Sequence, residues 1–136
     1  GKTKIKAILG VGDLETLRNV AKASLVCMMA GADFIKTSTG KESINANLNN
    51  SLVMLRMIRD FYTKTGKKIG FKPAGGISTA KSVLEFLILV AEELGFEWVN
   101  PKLLRIGASS LLIDIERQLY HYTSGRYANK EKLAIG

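Results

Sequence analysis

The sequence predicts an α/β fold of the (β/α)8 TIM-barrel type, to which this chain supplies about four βα units. Four short apolar runs are each followed by a segment with helical periodicity, and this alternation is typical of parallel strands joined by helical crossovers. Glycine, hydroxyl or lysine residues follow all four runs; a barrel gathers such loops at one mouth, whereas a doubly wound sheet needs them mainly at its switch point. Since complete barrels take about 250 residues, we expect the C-terminal half of a longer protein, or two copies that close together.

The first two units occupy residues 4–65 of the chain. A strand over residues 4–9 is followed by a glycine-rich break and by a helix that Asp13 caps and that runs to about residue 30. Gly31 ends this helix, and a second strand covers residues 33–37. After a loop to residue 47, a helix over residues 49–65 ends at Gly66. Its core-facing stripe consists of Leu52, Leu55, Met57, Ile58 and Phe61.

The last two units follow the same order. A strand over residues 68–72 leads to a helix that Ser78 or Thr79 caps and that Gly95 ends after residue 94. Residues 96–102 form a loop containing Pro101, residues 103–106 form a fourth strand, and the loop 107–110 leads into a helix over residues 111–122. The prediction is one barrel domain over residues 1–136, with a polar tail from about residue 124.

Two lysines, Lys36 and Lys72, end successive strands at equivalent positions. Neighbouring parallel strands lie about 4.8 Å apart, so the two amines converge if both point inward. Repulsion and partial burial then favour the neutral form of one lysine and lower its pKa from about 10.4 toward about 7, which makes the amine a nucleophile for a carbonyl carbon. Alternatively, the lysines only neutralise a bound phosphate or a buried carboxylate.

Three loops offer the groups that hold a phosphate, namely backbone N–H groups, hydroxyls and helix N-termini. Taken singly, each is explained as a tight turn in which glycine supplies a positive φ. Three of them at one mouth favour a phosphate site. The candidate residues are Thr39, Gly40, Lys41, Gly75, Gly76, Gly107, Ser109 and Ser110.

Composition narrows the class of partner. A formal net charge of +8 favours an anion, whether nucleic acid, a membrane surface or a phosphorylated small molecule. No nucleic-acid motif occurs and no apolar run reaches the length of a membrane span, so neither nucleic acid nor a membrane is expected. His121 has no partner at ligand spacing, so no metal site is expected. No cofactor is expected either. The single cysteine, Cys27, is interpreted as a small buried hydrophobe, and the setting as cytoplasmic.

Three motifs occur together and in order: residues 31–41 (GADFIKTSTGK), residues 70–77 (GFKPAGGI) and residues 105–111 (RIGASSL). They resemble the deoxyribose-phosphate aldolase family, over residues 4–127 and over the second half of that family's barrel. The resemblance implies reversible, metal-free cleavage of 2-deoxy-D-ribose 5-phosphate to D-glyceraldehyde 3-phosphate and acetaldehyde. It places Lys36 at the family's Schiff-base lysine and Lys72 at the second lysine, which perturbs the first and assists proton transfer. The three loops match the family's phosphate-binding positions.

The chain departs from the family's pattern at three places. The family's proton-relay aspartate lies on an earlier strand, and neither Asp13 nor Asp33 lies in the matching motif. Many relatives carry arginine where this chain has Ser78. The family's C-terminal tail often brings a tyrosine to the site, whereas this tail ends in LAIG and offers only Tyr127.

The residues leave three functions open. The first is a Schiff-base aldolase, the second a phosphosugar-binding or isomerising barrel that uses the lysines as charges, and the third a basic module that binds nucleic acid. A phosphorylated sugar is the expected ligand. Because half a barrel leaves strand edges unpaired, we also expect self-association or pairing with the missing N-terminal half.

Overall fold

Three short parallel strands and four helices form the molecule in a computed structural model, which describes residues 3–129 and residue 133. The sheet has the order β1 (Lys6–Ile8), β2 (Phe34–Lys36) and β3 (Gly70–Lys72), and both neighbouring pairs are parallel. The helices are α1 (Leu17–Met29), α2 (Leu48–Thr65), α3 (Ala80–Leu94) and α4 (Leu111–Ser124), with a 3-10 turn at Phe96–Trp98. The α/β class and the alternating element order are therefore confirmed.

The start of α1 differs from the prediction, because Thr16 and not Asp13 is its N-cap. The Thr16 side chain accepts a hydrogen bond from the Asn19 N–H at 3.1 Å. Asp13 lies in a turn in which its N–H donates to the Gly10 carbonyl oxygen at 3.0 Å. Glu15 then has a φ of +61°, which interrupts a right-handed helix. The helix therefore begins only after this residue.

The other helix ends follow the sequence closely. Asn47 caps α2 by accepting from the Asn50 N–H at 2.8 Å, and Gly66 ends that helix in the left-handed conformation at φ +70°. Thr79, one of the two predicted caps of α3, forms a reciprocal capping box with Ser82. Gly95 ends α3 as predicted.

The fourth strand predicted over residues 103–106 is wrong as a continuous strand. Phe71 and Arg105 make ladder bonds: the Phe71 N–H donates to the Leu103 oxygen at 2.8 Å and the Arg105 N–H to the Phe71 oxygen at 3.1 Å. The next bond of the ladder requires an N–H at Pro73, which proline lacks. Pairing resumes as an isolated parallel bridge between Ala74 and Gly107. One proline thus turns a strand into two bridges beside β3.

The core lies between the sheet and its helices. Ile35 and Phe71, which point to the helical side of β2 and β3, are fully buried against α2 and α3. Of the predicted α2 stripe, Leu55 and Ile58 are fully buried, whereas the other three side chains are only partly buried. The centre of the buried face includes Met54, because α2 packs on both α1 and α3. No helix in residues 3–129 is long and apolar enough to cross a bilayer.

Candidate active site

Lys36 and Lys72 are direct cross-strand partners at the carboxyl ends of β2 and β3. Successive residues of a strand point to opposite faces of the sheet, so the buried Ile35 and Phe71 face the helices while both lysines face away from them. Both lysines are partly exposed and both line the same cavity. The register therefore places both lysines on the same open face of the sheet.

The cavity beside the lysines has a volume of about 620 Å³. All three candidate phosphate loops border it, and every phosphate-site candidate named from the sequence lies in its wall. Ser78, which stands where many relatives have arginine, also belongs to the wall and is exposed. The lining residues are Lys36, Thr39, Gly40, Lys41, Lys72, Ala74, Gly75, Gly76, Ile77, Ser78, Ile106, Gly107, Ala108, Ser109 and Ser110. None of these residues carries a carboxylate, so the walls offer positive charge and hydrogen-bond donors to an anion.

The open face of the sheet carries two further cations that the sequence reading did not single out. Lys6 Nζ lies 5.5 Å from the centre of the Phe34 ring, and Arg105 Cζ lies 4.9 Å from the same ring. Burial lowers the pKa of the Lys6 ammonium below its ordinary value, and the charges of Lys72, Arg105 and Lys36 lower it further. Alternate residues of a strand share a face, so Phe34 lies on the same face as Lys36, and the strand register pairs Phe34 with Lys6. This alternation is the signal that would have identified Lys6.

The glycine loops allow a ligand to approach the backbone closely, but some of their N–H groups already donate hydrogen bonds within the protein. Gly40, Gly75 and Gly76 all have positive φ, at +93°, +89° and +76°. The Gly75 N–H donates to the Gly107 oxygen at 3.3 Å and the Gly107 N–H to the Pro73 oxygen at 2.8 Å. These two amides therefore join the loops to each other.

Thr39 is also engaged within its own loop. Its N–H and its hydroxyl both donate to Glu42 Oε1, at 2.8 and 3.1 Å. The loop that follows β2 is thus closed by a carboxylate, which the sequence reading did not single out. Thr39 borders the cavity with its two donors turned to Glu42.

The N-terminus of α4 opens on the same cavity. Ser110 is the N-cap residue but makes no side-chain capping bond, in contrast to Thr16, Asn47 and Thr79 on the other helices. Ser109 and Ser110 are exposed and line the cavity. Uncapped N–H groups and the positive end of the helix dipole both favour an anion here.

The remaining candidates lie away from the cavity. Asp33 accepts the Ile5 N–H at 2.9 Å at the opposite end of the sheet from Lys36, and is therefore structural. Cys27 is half-buried at the edge of the core and is a free thiol. Trp98 is buried, with its Nε1–H donating to the Ile69 carbonyl oxygen at 3.0 Å, and is therefore a packing residue.

The C-terminal residues form a separate cluster. His121 stacks on Tyr127 with ring centres 4.1 Å apart, and Arg117 lies 5.7 Å from the same tyrosine ring. Among residues 3–129 and residue 133, no group of three potential ligands could hold a metal ion. The predicted tail lies outside the described residues from 130 onward, apart from Leu133.

Comparison with known proteins places these features in a family. A family model described as "DeoC/LacD family aldolase" matches residues 7–112, more than half of the chain. The chain belongs to the DeoC/LacD aldolase family. Among curated members, deoxyribose-phosphate aldolase of Mus musculus is 66% identical over 128 residues, and that of Homo sapiens is 64% identical over the same length. Each alignment covers 94% of this chain but only 40% of the relative, so the chain spans about two fifths of the length of these aldolases.

Solved structures support the fold of the DeoC/LacD family. The apo form of a putative deoxyribose-phosphate aldolase from Toxoplasma gondii superposes with a TM-score of 0.76 at 21% identity. It covers 93% of this chain and 48% of that structure. A putative deoxyribose-phosphate aldolase from Coccidioides immitis gives a TM-score of 0.59 at 28% identity, over 77% of this chain and 35% of that structure. The chain therefore folds like part of these proteins.

Proposed function

We propose that this chain carries the nucleophile and the phosphate-binding site of a Schiff-base aldolase. This aldolase cleaves 2-deoxy-D-ribose 5-phosphate to D-glyceraldehyde 3-phosphate and acetaldehyde. Such a reaction belongs to deoxyribose phosphate catabolism. The observation that carries the proposal is the cross-strand pair Lys36 and Lys72 in the wall of one cavity with three anion-binding loops. The 66% identity to the mouse aldolase supports the same substrate.

In this proposal Lys36 is the nucleophile. Its neutral Nζ attacks C1 of the open-chain sugar, and loss of water from the carbinolamine gives a protonated imine. The imine accepts the electron pair of the C2–C3 bond while a base removes the proton of the C3 hydroxyl, which releases glyceraldehyde 3-phosphate. Protonation of the resulting enamine at C2 and hydrolysis of the imine release acetaldehyde and restore the amine.

Lys72 is assigned the supporting role. As the direct cross-strand neighbour of Lys36, it brings a second positive charge to the amine that must lose its proton. Its ammonium can also donate a proton to the carbinolamine hydroxyl, or to C2 of the enamine. These two roles follow the positions of the lysines in the family, since both are cross-strand partners that line the same cavity here.

The phosphate group is assigned to the turn after β3 and to the loop that leads into α4. Gly76, Ser109 and Ser110 combine a tight glycine turn with the uncapped start of α4. Lys41 adds an exposed cation on the loop after β2. In the proposal these groups fix the 5-phosphate so that C1 of the sugar reaches Lys36.

A carboxylate for proton transfer is absent from the described lining of this cavity. The chain spans about 40% of its curated relatives, so the rest of a complete aldolase would supply that group. One general acid–base residue contributes about 10²–10⁴-fold in rate. We therefore expect imine formation on this chain to be easier to detect than full turnover.

Reductive trapping tests the proposal. Borohydride added with acetaldehyde reduces the imine to a secondary amine, which leaves an ethyl group on the lysine that reacted. Peptide mass spectrometry should place this group on Lys36, and Lys36→Arg should lose it because a guanidinium stays protonated. Lys41→Arg is the matched control, since Lys41 lines the same cavity and should not matter for trapping. An ethyl group on Lys41 in place of Lys36 would refute the assignment.

The phosphosugar-binding or isomerising alternative also has an observation in its favour. Four cations, Lys6, Lys36, Lys72 and Arg105, lie on the open side of the sheet, and such a field binds an anion without any covalent step. The same trapping experiment separates the two functions. A chain that binds the phosphosugar but yields no reduced adduct uses its lysines as charges only.

A further inference from the structure

Two buried hydroxyls connect the loop after β2 to the loop after β3. Thr37 and Ser38 are both fully buried. Thr37 Oγ1 donates to the Ala74 oxygen at 3.1 Å and accepts from the Ala74 N–H at 3.0 Å. Ser38 Oγ lies 2.8 Å from both the Ala74 oxygen and Asn45 Oδ1, and its single proton is shared between these acceptors.

Asn45 completes this connection. Its Nδ2 donates to the backbone carbonyl oxygen of Glu42 at 2.6 Å, which orients the amide so that Oδ1 faces Ser38. The N–H of the next residue, Ala46, donates to the Ala74 oxygen at 3.1 Å. The amide of Asn45 is therefore held from both ends, and its neighbour is bound to the same carbonyl as the two hydroxyls.

The held amide lies directly against Gly75. A Cβ built on Gly75 would lie 2.5 Å from both Cγ and Oδ1 of Asn45, so the amide fills the space that a side chain would take. Gly40 approaches from the other loop, since its added Cβ would lie 3.7 Å from Gly75 Cα. The path of the 75–76 turn is thus defined by contact with Asn45 on one side and by the hydrogen bond to Gly107 on the other.

Asn45 itself is not part of the cavity wall, whereas Gly40, Gly75 and Gly76 are. We propose that Asn45 is a positioning residue that holds the 75–76 turn beside Gly40 and thereby sets the affinity of the cavity for the phosphate group of its ligand. The inference rests on the proposed function and adds a determinant of the preference for a phosphorylated over an unphosphorylated carbonyl compound.

Phosphate binding tests this role without any need for turnover. Inorganic phosphate is titrated into the ¹⁵N-labelled chain while the amide signals of Gly40, Gly76 and Ser109 are followed. In Asn45→Ala the turn loses its support, and we expect the Kd for phosphate to rise about tenfold, the effect of one lost polar interaction. The control is Asn49→Ala, because Asn49 is exposed at the start of α2 and borders a different cavity.

Trapping separates a positioning role from a general structural role, because only a positioning role changes the phosphorylated and the unphosphorylated compound to different extents. In Asn45→Ala we expect half-maximal trapping to need about tenfold more 2-deoxyribose 5-phosphate, while the requirement for acetaldehyde, which has no phosphate, changes less. General loosening of the chain would affect both compounds equally and would overturn the inference. If Asn45→Ala does not fold, Asn45→Ser is measured by the same criteria, because serine also removes the amide that bonds Ser38 and the Glu42 carbonyl oxygen.

The outcomes separate this inference from the proposed function. An Asn45→Ala chain that binds phosphate as tightly as the original chain overturns the inference, as does an original chain whose cavity amides do not respond to phosphate. Failure of the proposed function looks different. In that case phosphate still binds and still depends on Asn45, but borohydride traps no adduct with any aldehyde.

Discussion

Gly107→Ala links the packing of the cavity wall to its chemistry. A Cβ at residue 107 would lie 2.6 Å from the Ala74 Cβ and 3.1 Å from the Lys72 Cε. Carbon atoms in contact lie about 3.5–4.0 Å apart, so the two loops must separate by about 1 Å. The Gly107 N–H bond to Pro73 and the Gly75 N–H bond to the Gly107 oxygen both cross this contact. A single methyl group therefore disturbs both the hydrogen bonds between the two loops and the aliphatic side chain of Lys72.

The size of the effect follows from these contacts. Overpacking of this kind costs about 1–3 kcal/mol in the free energy of unfolding. A shift of about 1 Å in a catalytic group can cost about 10²-fold in rate. We expect Gly107→Ala to lower both the melting temperature and the rate of acetaldehyde trapping on Lys36, the latter through displacement of Lys72.

Gly125→Ala is the matched control for stability alone. An added Cβ at this residue meets nothing within 4 Å, but φ is +70°, so alanine there costs about 1–2 kcal/mol by backbone strain. Thermal unfolding by circular dichroism and trapping kinetics are measured for both variants. A Gly107→Ala chain with unchanged trapping kinetics, or a Gly125→Ala chain that loses trapping to the same extent, would refute the reasoning.

Three further predictions concern the charged face and the sheet edge. Lys72→Leu removes the positive charge beside Lys36, so the pH dependence of trapping should move to higher pH and its maximum should fall; an unchanged profile would show that the two amines do not interact. Because the pKa of Lys6 is lowered in the folded chain, its protonation opposes folding, and stability should rise as the pH increases through this lowered pKa toward 10.5. Lys6→Met should therefore raise the melting temperature at pH 7 and make stability depend less on pH. Lys4→Met, at an exposed residue, should change neither the melting temperature nor its pH dependence. Equal melting temperatures for the original chain and both variants would contradict the expected destabilisation by the Lys6 charge. The free edge of β1, where Ile8 is 50% exposed, should promote self-association, so light scattering should give a mass above 14.9 kDa. Ile8→Lys should lower this mass, whereas Val26→Lys on α1 should not. A monomer at all concentrations would argue against association through this edge.

The sequence by itself determined the features that depend on neighbouring residues. The cap Thr79 and the helix ends Gly66 and Gly95 were predicted, because a cap bonds an N–H within three residues and a terminal glycine acts through its own φ. The strands of Lys36 and Lys72 were readable as apolar runs between such helices. Their equal place at the strand ends then followed from counting, and the register confirms it.

Tertiary structure decided whatever depends on groups far apart in the chain. Pro73 breaks the pairing of the predicted fourth strand only because residues 103–107 lie beside it. Asn45 reads as an ordinary loop residue until Ser38 and Gly75 are placed against its amide. Likewise, Lys6 and Arg105 come to share the Phe34 ring across the sheet although 99 residues separate them along the chain. Periodicity and capping are local signals, whereas these contacts arise only when parallel strands bring distant segments to the same edge.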